Sequence, residues 1–264
     1  MPELPEVEVF VRCLQPIVGT LIRRAEVLDQ RLNLDESKLS EARISSVDRR
    51  GKHIVIGLGT AGDLVIHLRM SGRLRLQRST EETRYTRMIL HLDSGERVYF
   101  INPRRLGTVI LYPKGFNPQL GVEPLSTAFT SEALAQMTAR SRSPIKPFLL
   151  DQRRIAGIGN IYASEALWRS GISPERASST LERDEIARLH RSIGSVLNDA
   201  IQGQGTTLGH SVSDYHPSVG EQGEFQNRLS VYGRETESCE RCGNQIVRIK
   251  QGGRSTYYCR ECQT

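Results

Sequence analysis

The hydrophobic pattern changes period twice along the chain. At the start, Val7, Phe10, Val11 and Leu14 fall on one face of a 3.6-residue repeat, and Pro5 suits the first turn of the helix that this predicts. The next hundred residues read differently. HIVIGLG from His53, DLVIHLRM from Asp63, RMILHLD from Arg87 and RVYFI from Arg97 are short runs rich in β-branched and aromatic residues, separated by Gly-containing turns such as SGR and SGE. Strands this close in sequence pair antiparallel, as a sandwich or barrel. From about residue 130 the helical period returns: Ile186, Leu189, Ile193, Val196, Leu197, Ala200 and Ile201 make one apolar stripe. LLDQRRIAGIGNIYASEALWRSGI reads as two helical pieces around a Gly-rich turn, NPQLGVEPLST (117–127) has the composition of a linker, and residues 203–227 are Gly-rich and polar.

The expected class is α+β. An N-terminal antiparallel β-sandwich with a flanking helix spans 1–116, a linker 117–129, a helical domain 130–227 and a compact C-terminal module 228–264. With 38% hydrophobic and 25% charged residues, the 264-residue chain is neither disordered nor membrane-embedded in composition. No run approaches the roughly 18 apolar residues that span a bilayer, and MPELPEVEVF carries carboxylates where a secretory leader has Lys or Arg. A cytosolic location is expected. The net charge of +6 suits a polyanionic partner without identifying one. Of the 36 cations only Lys38, Lys52, Lys114, Lys146 and Lys250 are lysines, which limits the side chains able to form a Schiff base.

Cys239, Cys242, Cys259 and Cys262 are spaced C-x2-C-x16-C-x2-C, the spacing of a tetrahedral zinc site. Between the pairs, NQIVRIK and RSTYYC are β-rich and joined by Gln251-Gly252-Gly253, which predicts a zinc-stapled hairpin. Two disulfides are the alternative, disfavoured in a reducing compartment. Four thiolates close the coordination sphere, so the one zinc is expected to be structural. The fifth cysteine, Cys13, reads as a buried helix residue.

Pro2 follows an initiator methionine of the kind normally removed, which would expose a prolyl secondary amine. α-Amines titrate near roughly 7.7–8.0, so a useful fraction is nucleophilic at neutral pH. Such an amine can attack a sugar C1′ and form a charged iminium. Glu3 and Glu6 lie beside it, as proton-handling groups or simply as the acidic first turn that suits a helix dipole.

Six motifs in order, MPELPEVE, HLRMSG, INPRRLG, AGIGNIYASEAL, VYGRE and GRSTYYCRECQ, make the chain resemble the formamidopyrimidine-DNA glycosylases, within the wider family that includes endonuclease VIII. The resemblance runs end to end, and PEL rather than PEG after the methionine resembles the formamidopyrimidine branch. It implies a helix-two-turn-helix domain with a lesion-side loop, a zinc finger, and a bifunctional glycosylase and abasic-site lyase acting as a monomer near the nucleoid. The implied partner is duplex DNA holding an oxidised purine (8-oxoguanine or a formamidopyrimidine) or an abasic site, in base excision repair. By that likeness Pro2 is the nucleophile, Glu3 the proton shuttle, Glu6 a helper that positions the amine, and Lys52 a strand lysine on the phosphate beside the lesion.

The likeness also makes Asn160 a phosphate ligand, with Lys146 on the same DNA backbone and Arg254 the phosphate clamp of the zinc finger. Glu165 matches a family residue near the site, or is an exposed helix carboxylate. Met70, Arg104 and Leu106 occupy the positions that fill the gap left by an extruded nucleotide. Two departures stand out: Leu106 replaces an aromatic, and Arg69 stands where the family usually has glycine. Leu106 keeps open an endonuclease VIII-like enzyme for oxidised pyrimidines. A non-catalytic zinc-hairpin DNA-binding protein is the other alternative, opposed by the intact Pro2, Glu3 and Glu6.

Overall fold

A computed structural model describes residues 2–80, 83–113, 115–116, 118–208 and 223–264. The chain forms two compact units, Met1–Pro118 with Gly203–Gln226, and Gln119–Gln202 with Asn227–Thr264.

In the first unit, helix α1 (Leu4–Leu14) buries Val7, Phe10, Val11 and Leu14, the face predicted from the repeat. Cys13 lies off that face and is half-buried rather than buried. Eight strands follow: β1 (Ile22–Val27), β2 (Ser46–Arg50), β3 (His53–Gly57), β4 (Asp63–His67), β5 (Arg73–Gln77), β6 (Thr86–Leu92), β7 (Arg97–Ile101) and β8 (Thr108–Tyr112). They form two antiparallel sheets, ordered β1-β6-β7-β5 and β2-β3-β4-β8. Between them one cluster takes Ile22 and Ala25 of β1, Ile54 and Ile56 of β3, Leu64 and Ile66 of β4, Leu90 of β6 and Phe100 of β7, and the helix adds Phe10 and Leu14. The inward positions alternate along β3 and β4, as period-two sheets facing one core require, while in β1 a register shift between Ile22 and Arg24 spaces Ile22 and Ala25 three apart.

Helix α1 runs along β2 in a fixed direction. Gln15, just past its C-terminus, donates from Nε2 to Val47 O at 2.8 Å, and Arg49 Nε donates to Glu8 Oε2 at 3.0 Å. The Gly51-Lys52 turn that joins β2 to β3 therefore lies toward the N-terminal end of α1, where Glu3 and Glu6 sit.

In the second unit, α2 (Ser131–Ala139), α3 (Ile145–Leu150), α4 (Asn160–Ser170) and α5 (Arg183–Gln202) precede the hairpin β9 (Ile246–Gln251) and β10 (Arg254–Cys259). The seven apolar residues of the predicted stripe are the buried residues of α5. Two expected boundaries differ from the packing. Within the expected linker, Gly121 N–H donates to Gln152 O at 2.8 Å and Val122 N–H to Arg154 O at 3.1 Å, so this stretch is fastened rather than free. Gly203–Gln226, expected to close the helical domain, groups instead with the β-sandwich unit. There Thr206 N–H bonds Glu6, while Glu224 and Phe225 N–H bond Gly203 O and Gly205 O. Residues 209–222 of that stretch, and Met1, lie outside the described residues.

Candidate active site and DNA interface

Pro2, Glu3 and Glu6 are all buried at the start of α1. Glu3 is the residue just before the helix, in an extended conformation that turns the chain into its first turn, and Pro5 falls in that turn where its missing N–H is no loss. Glu6 Oε2 accepts the Glu3 N–H at 2.7 Å, and Oε1 accepts the Thr206 N–H at 2.9 Å. The Glu6 carboxylate thus bonds both the backbone next to Pro2 and the base of the 203–226 segment, which holds it in one orientation. Sequence reasoning paired Glu6 with Pro2 but gave no sign of Thr206, which lies 200 residues away.

Lys52 is buried and occupies the second position of the two-residue turn closed by the Arg50–His53 pair, with Gly51 at φ 57°. The structure therefore corrects its expected place on a strand, because the hairpin needs two turn residues and a glycine suits the first. Beyond this turn, His53 and His67 face each other across β3 and β4 with ring centroids 4.7 Å apart. Burial, and then the positive charges of His53, Arg69 and Lys52, drive His67 down to about 3. Its Nδ1 accepts the Arg69 N–H at 3.0 Å, which places the ring proton on Nε2.

Two neighbouring turns carry the residues expected to enter DNA. Met70 is 43% and Leu106 52% exposed, so both are open to a partner. Arg69 has φ 55°, the left-handed backbone that glycine adopts freely, so a glycine preference at this position has a conformational origin. Gly72 is packed so that a Cβ would lie 2.5 Å from Leu68 O. Ser71 Oγ accepts the N–H of Arg104 at 3.3 Å and so ties the Met70 turn to the Arg104–Leu106 loop.

In the second unit the expected phosphate ligands separate into two kinds. Asn160 opens α4 and is partly exposed, and Arg254 is exposed just after the turn formed by Gly252 and Gly253, at φ 53° and 77°. Lys146 is only 1% exposed. Its ammonium donates to Asn160 Oδ1 at 2.6 Å, Thr256 Oγ1 at 2.8 Å and Ser255 O at 2.9 Å. An ammonium has three donors, and these bonds use three. Lys146 thus holds Asn160 and β10 together. Asn160 Nδ2 donates in turn to Ser255 O at 2.9 Å and lies 3.4 Å from the Tyr232 hydroxyl.

Glu165, on the same helix, is fully buried, which removes the exposed-helix alternative. Its carboxylate accepts the N–H groups of Ser230, Val231 and Tyr232 at 2.9, 3.0 and 2.9 Å. Burial pushes its pKa up, against the pull of these three donors. Tyr232 received no role from sequence; VYGRE was a recognisable motif, but its link to Glu165 crosses 67 residues.

The four cysteine sulfurs lie within 4.8 Å of one another, with Cys239–Cys262 at 3.9 Å and Cys242–Cys259 at 3.5 Å. Zinc–sulfur bonds of ~2.3 Å in a tetrahedron set the sulfurs ~3.8 Å apart, so the donor set fits zinc. Burial, and then the neighbouring thiols, push Cys262 up to about 12. Trp168 of α4 packs against this cluster, and the Arg241 guanidinium lies 4.5 Å from its ring centroid.

These parts have counterparts in known proteins. The model of the formamidopyrimidine-DNA glycosylase N-terminal domain matches residues 1–109, that of the H2TH domain of the same enzymes residues 120–211, and that of the zinc finger found in FPG and IleRS residues 237–264. The formamidopyrimidine-DNA glycosylase of Pelotomaculum thermopropionicum is 43% identical, covering 100% of this chain and 99% of that protein. The chain belongs to the formamidopyrimidine-DNA glycosylase family. The crystal structure of MutM (FPG) from Thermus thermophilus superposes with a TM-score of 0.88 at 39% identity, covering 99% of this chain and 98% of that one. A point mutant of Lactococcus lactis FPG in complex with Fapy-dG-containing DNA gives 0.87 at 31% identity, covering 99% of each chain. Membership makes this a DNA glycosylase of base excision repair with one structural zinc. No helix among the described residues is long and apolar enough to cross a membrane.

Proposed function

We propose that this glycosylase excises oxidised purines, 8-oxoguanine and formamidopyrimidines, from duplex DNA and cleaves the resulting abasic site through the secondary amine of Pro2. The observation that carries the reading is the terminal cluster: Pro2, Glu3 and Glu6 buried together, with both Glu6 oxygens bonded to backbone donors. A relative's structure holds Fapy-dG DNA and another an abasic-site DNA, which are the two substrates this chemistry needs.

The prolyl nitrogen attacks the deoxyribose C1′ as the C1′–N glycosidic electrons leave with the base, and a proton goes to the ring oxygen or the departing base. Glu3 is the group beside the amine able to carry that proton. Opening of the sugar, with the C1′–O4′ bonding pair leaving on the protonated O4′, gives an iminium; its positive nitrogen accepts the pair released when the C2′ proton is removed, and that pair then returns through the enamine to expel the 3′ phosphate with its own bonding electrons. Glu6 acts through backbone bonds that keep Pro2 and Glu3 in place. Lys52, Asn160 and Arg254 bind phosphates, while Met70, Arg104 and Leu106 fill the space of the extruded nucleotide. The site works in the cytoplasm, near the nucleoid, as a monomer on duplex DNA.

Borohydride reduction during reaction with an 8-oxoguanine or abasic duplex, followed by peptide mapping, is expected to find the DNA adduct on Pro2. An adduct on Lys52 or another lysine refutes the terminal-amine mechanism.

A further inference from the structure

The loop from Asn102 to Gly107 presents Arg104 and Leu106, yet what fixes its shape lies beneath it. Asp29 follows β1 and is only 7% exposed. Its Oδ2 lies 3.4 Å from Arg105 Nε and 3.8 Å from Arg87 Nε, and Oδ1 accepts the Arg31 N–H at 3.2 Å. Arg87, also buried, donates from Nε to Asn102 O at 3.2 Å, and its own carbonyl accepts the N–H groups of Leu28 and Asp29 at 2.9 and 3.1 Å. Asn102 O accepts the Arg105 N–H at 3.2 Å as well, and Asn102 Nδ2 reaches across the loop to Gly107 O at 3.3 Å.

Several features of this base run against stability alone. Arg105 holds φ 54°, a strained backbone for a residue with a Cβ. Asn102 Oδ1 is buried without a hydrogen-bond partner among the described residues. The buried Asp29 carboxylate is shared by two guanidinium groups, one buried (Arg87) and one exposed (Arg105), and so fixes where both lie. Strain of this kind persists only where the surroundings over-determine it. Removing the Asp29 charge would leave Arg87 and Arg105 repelling each other below the loop, so that Arg105 swings outward and the left-handed turn relaxes.

We infer that Asp29 is a positioning residue for base extrusion: its carboxylate holds Arg105 and Arg87 and so sets the loop that inserts Arg104 and Leu106 into the duplex. This rests on the proposed role of Arg104 and Leu106 in filling the gap. An abasic site has no base to extrude, so its cleavage should depend little on the loop, whereas excision of a stacked 8-oxoguanine should depend on it strongly.

The test compares wild type, Asp29→Asn, Asp29→Glu, Arg104→Ala and Leu106→Ala under single turnover. Substrates are a duplex with 8-oxoguanine opposite cytosine and the same duplex with an abasic site, each carrying 2-aminopurine next to the lesion to report unstacking. Asp29→Asn is expected to slow 8-oxoguanine excision about 10–100-fold, as misplacement of a positioned group does, and to diminish the 2-aminopurine rise. Abasic-site cleavage should stay within about twofold by the same argument. Asp29→Glu, which keeps the charge, should recover part of the loss. Arg105→Lys keeps the cation but loses the Nε contact, and is expected to share the substrate-selective defect even if Asp29→Asn does not fold. Equal loss on both substrates, or no loss on either, overturns the inference. If Arg104→Ala and Leu106→Ala themselves leave excision and the 2-aminopurine signal unchanged, the gap-filling reading beneath it fails instead.

Discussion

Lys146→Met tests whether this buried lysine touches DNA or only shapes the surface that does. The substitution keeps most of the side chain's length and removes three hydrogen bonds, to Asn160 Oδ1, Thr256 Oγ1 and Ser255 O. The three acceptors do not suffer equally. Ser255 O still accepts from Asn160 Nδ2 at 2.9 Å, and Thr256 Oγ1 still donates to Gln251 Oε1 at 2.9 Å. Asn160 Oδ1 is the acceptor that loses its donor; a fully buried polar atom left unsatisfied costs ~1–3 kcal/mol, and the partial exposure of Asn160 lowers that. Relief of the desolvation of a buried ammonium works in the opposite direction, so the lower half of that range is expected. With its amide no longer oriented, Asn160 should contribute less to phosphate binding, a loss of about two- to tenfold for one hydrogen bond.

The decisive assay is affinity against salt. A cation that neutralises a phosphate releases counterions, and its removal flattens the slope of log K on log salt by ~0.9. Lys146→Met is therefore expected to weaken binding of an abasic-analogue duplex by the same factor at every salt concentration, with the slope unchanged and urea stability lowered. A slope flatter by one contact, with stability untouched, would refute the internal role and restore Lys146 to the DNA interface.

Three further outcomes follow from the structure. The His67 imidazole, driven to about 3 in the folded chain against 6.5 when unfolded, favours the unfolded state once it can be protonated, so its contribution is intact above about pH 6.5 and is lost as pH falls toward 3; His67→Gln should flatten denaturation midpoints between pH 6.5 and 4, and an unchanged pH profile would contradict this. Cys259→Ser, or exhaustive chelation, should lower bound zinc from one per chain by elemental analysis and abolish DNA binding, because four-thiolate sites supply the folding energy of small modules. Gly107→Ala places a Cβ 2.9 Å from both Asn102 Nδ2 and Phe100 Cζ and 3.1 Å from His67 O; overpacking of this kind costs ~1–3 kcal/mol, or about 2–12 °C in melting temperature by calorimetry.

Local signals were legible in the sequence and distant pairings were not. The α5 stripe, the α1 face and the zinc quartet depend on spacings of three to seventeen residues, and each stands where its spacing put it. The lysines show the limit. Lys52 and Lys146 both sit beside polar or apolar neighbours typical of a surface strand or helix, yet both are buried. For Lys146 the cause is its pairing with Thr256, 110 residues onward, which no periodicity encodes. Glu165 could be an exposed carboxylate or a buried one by its helix alone; three backbone donors from 230–232 decide it. Arg69 is the reverse case, since a departure noticed as a change of charge is also a change of backbone, visible only in its φ of 55°.

The polar anchorage of α3 and α4 also orders events during synthesis. Lys146, Asn160 and Glu165 wait for partners 110, 95 and 65 residues further along. At ribosomal rates of roughly 5–20 residues per second, the partner hydroxyl of Lys146 emerges about 6–22 s after Lys146 itself. Throughout that interval an ammonium and a carboxylate destined for the interior must stay solvated, so the helices cannot close over them. Completion of this unit thus belongs to the end of translation, when the hairpin arrives. A nascent chain halted before β10 should leave Lys146 open to amine-reactive reagents that cannot reach it in the finished protein.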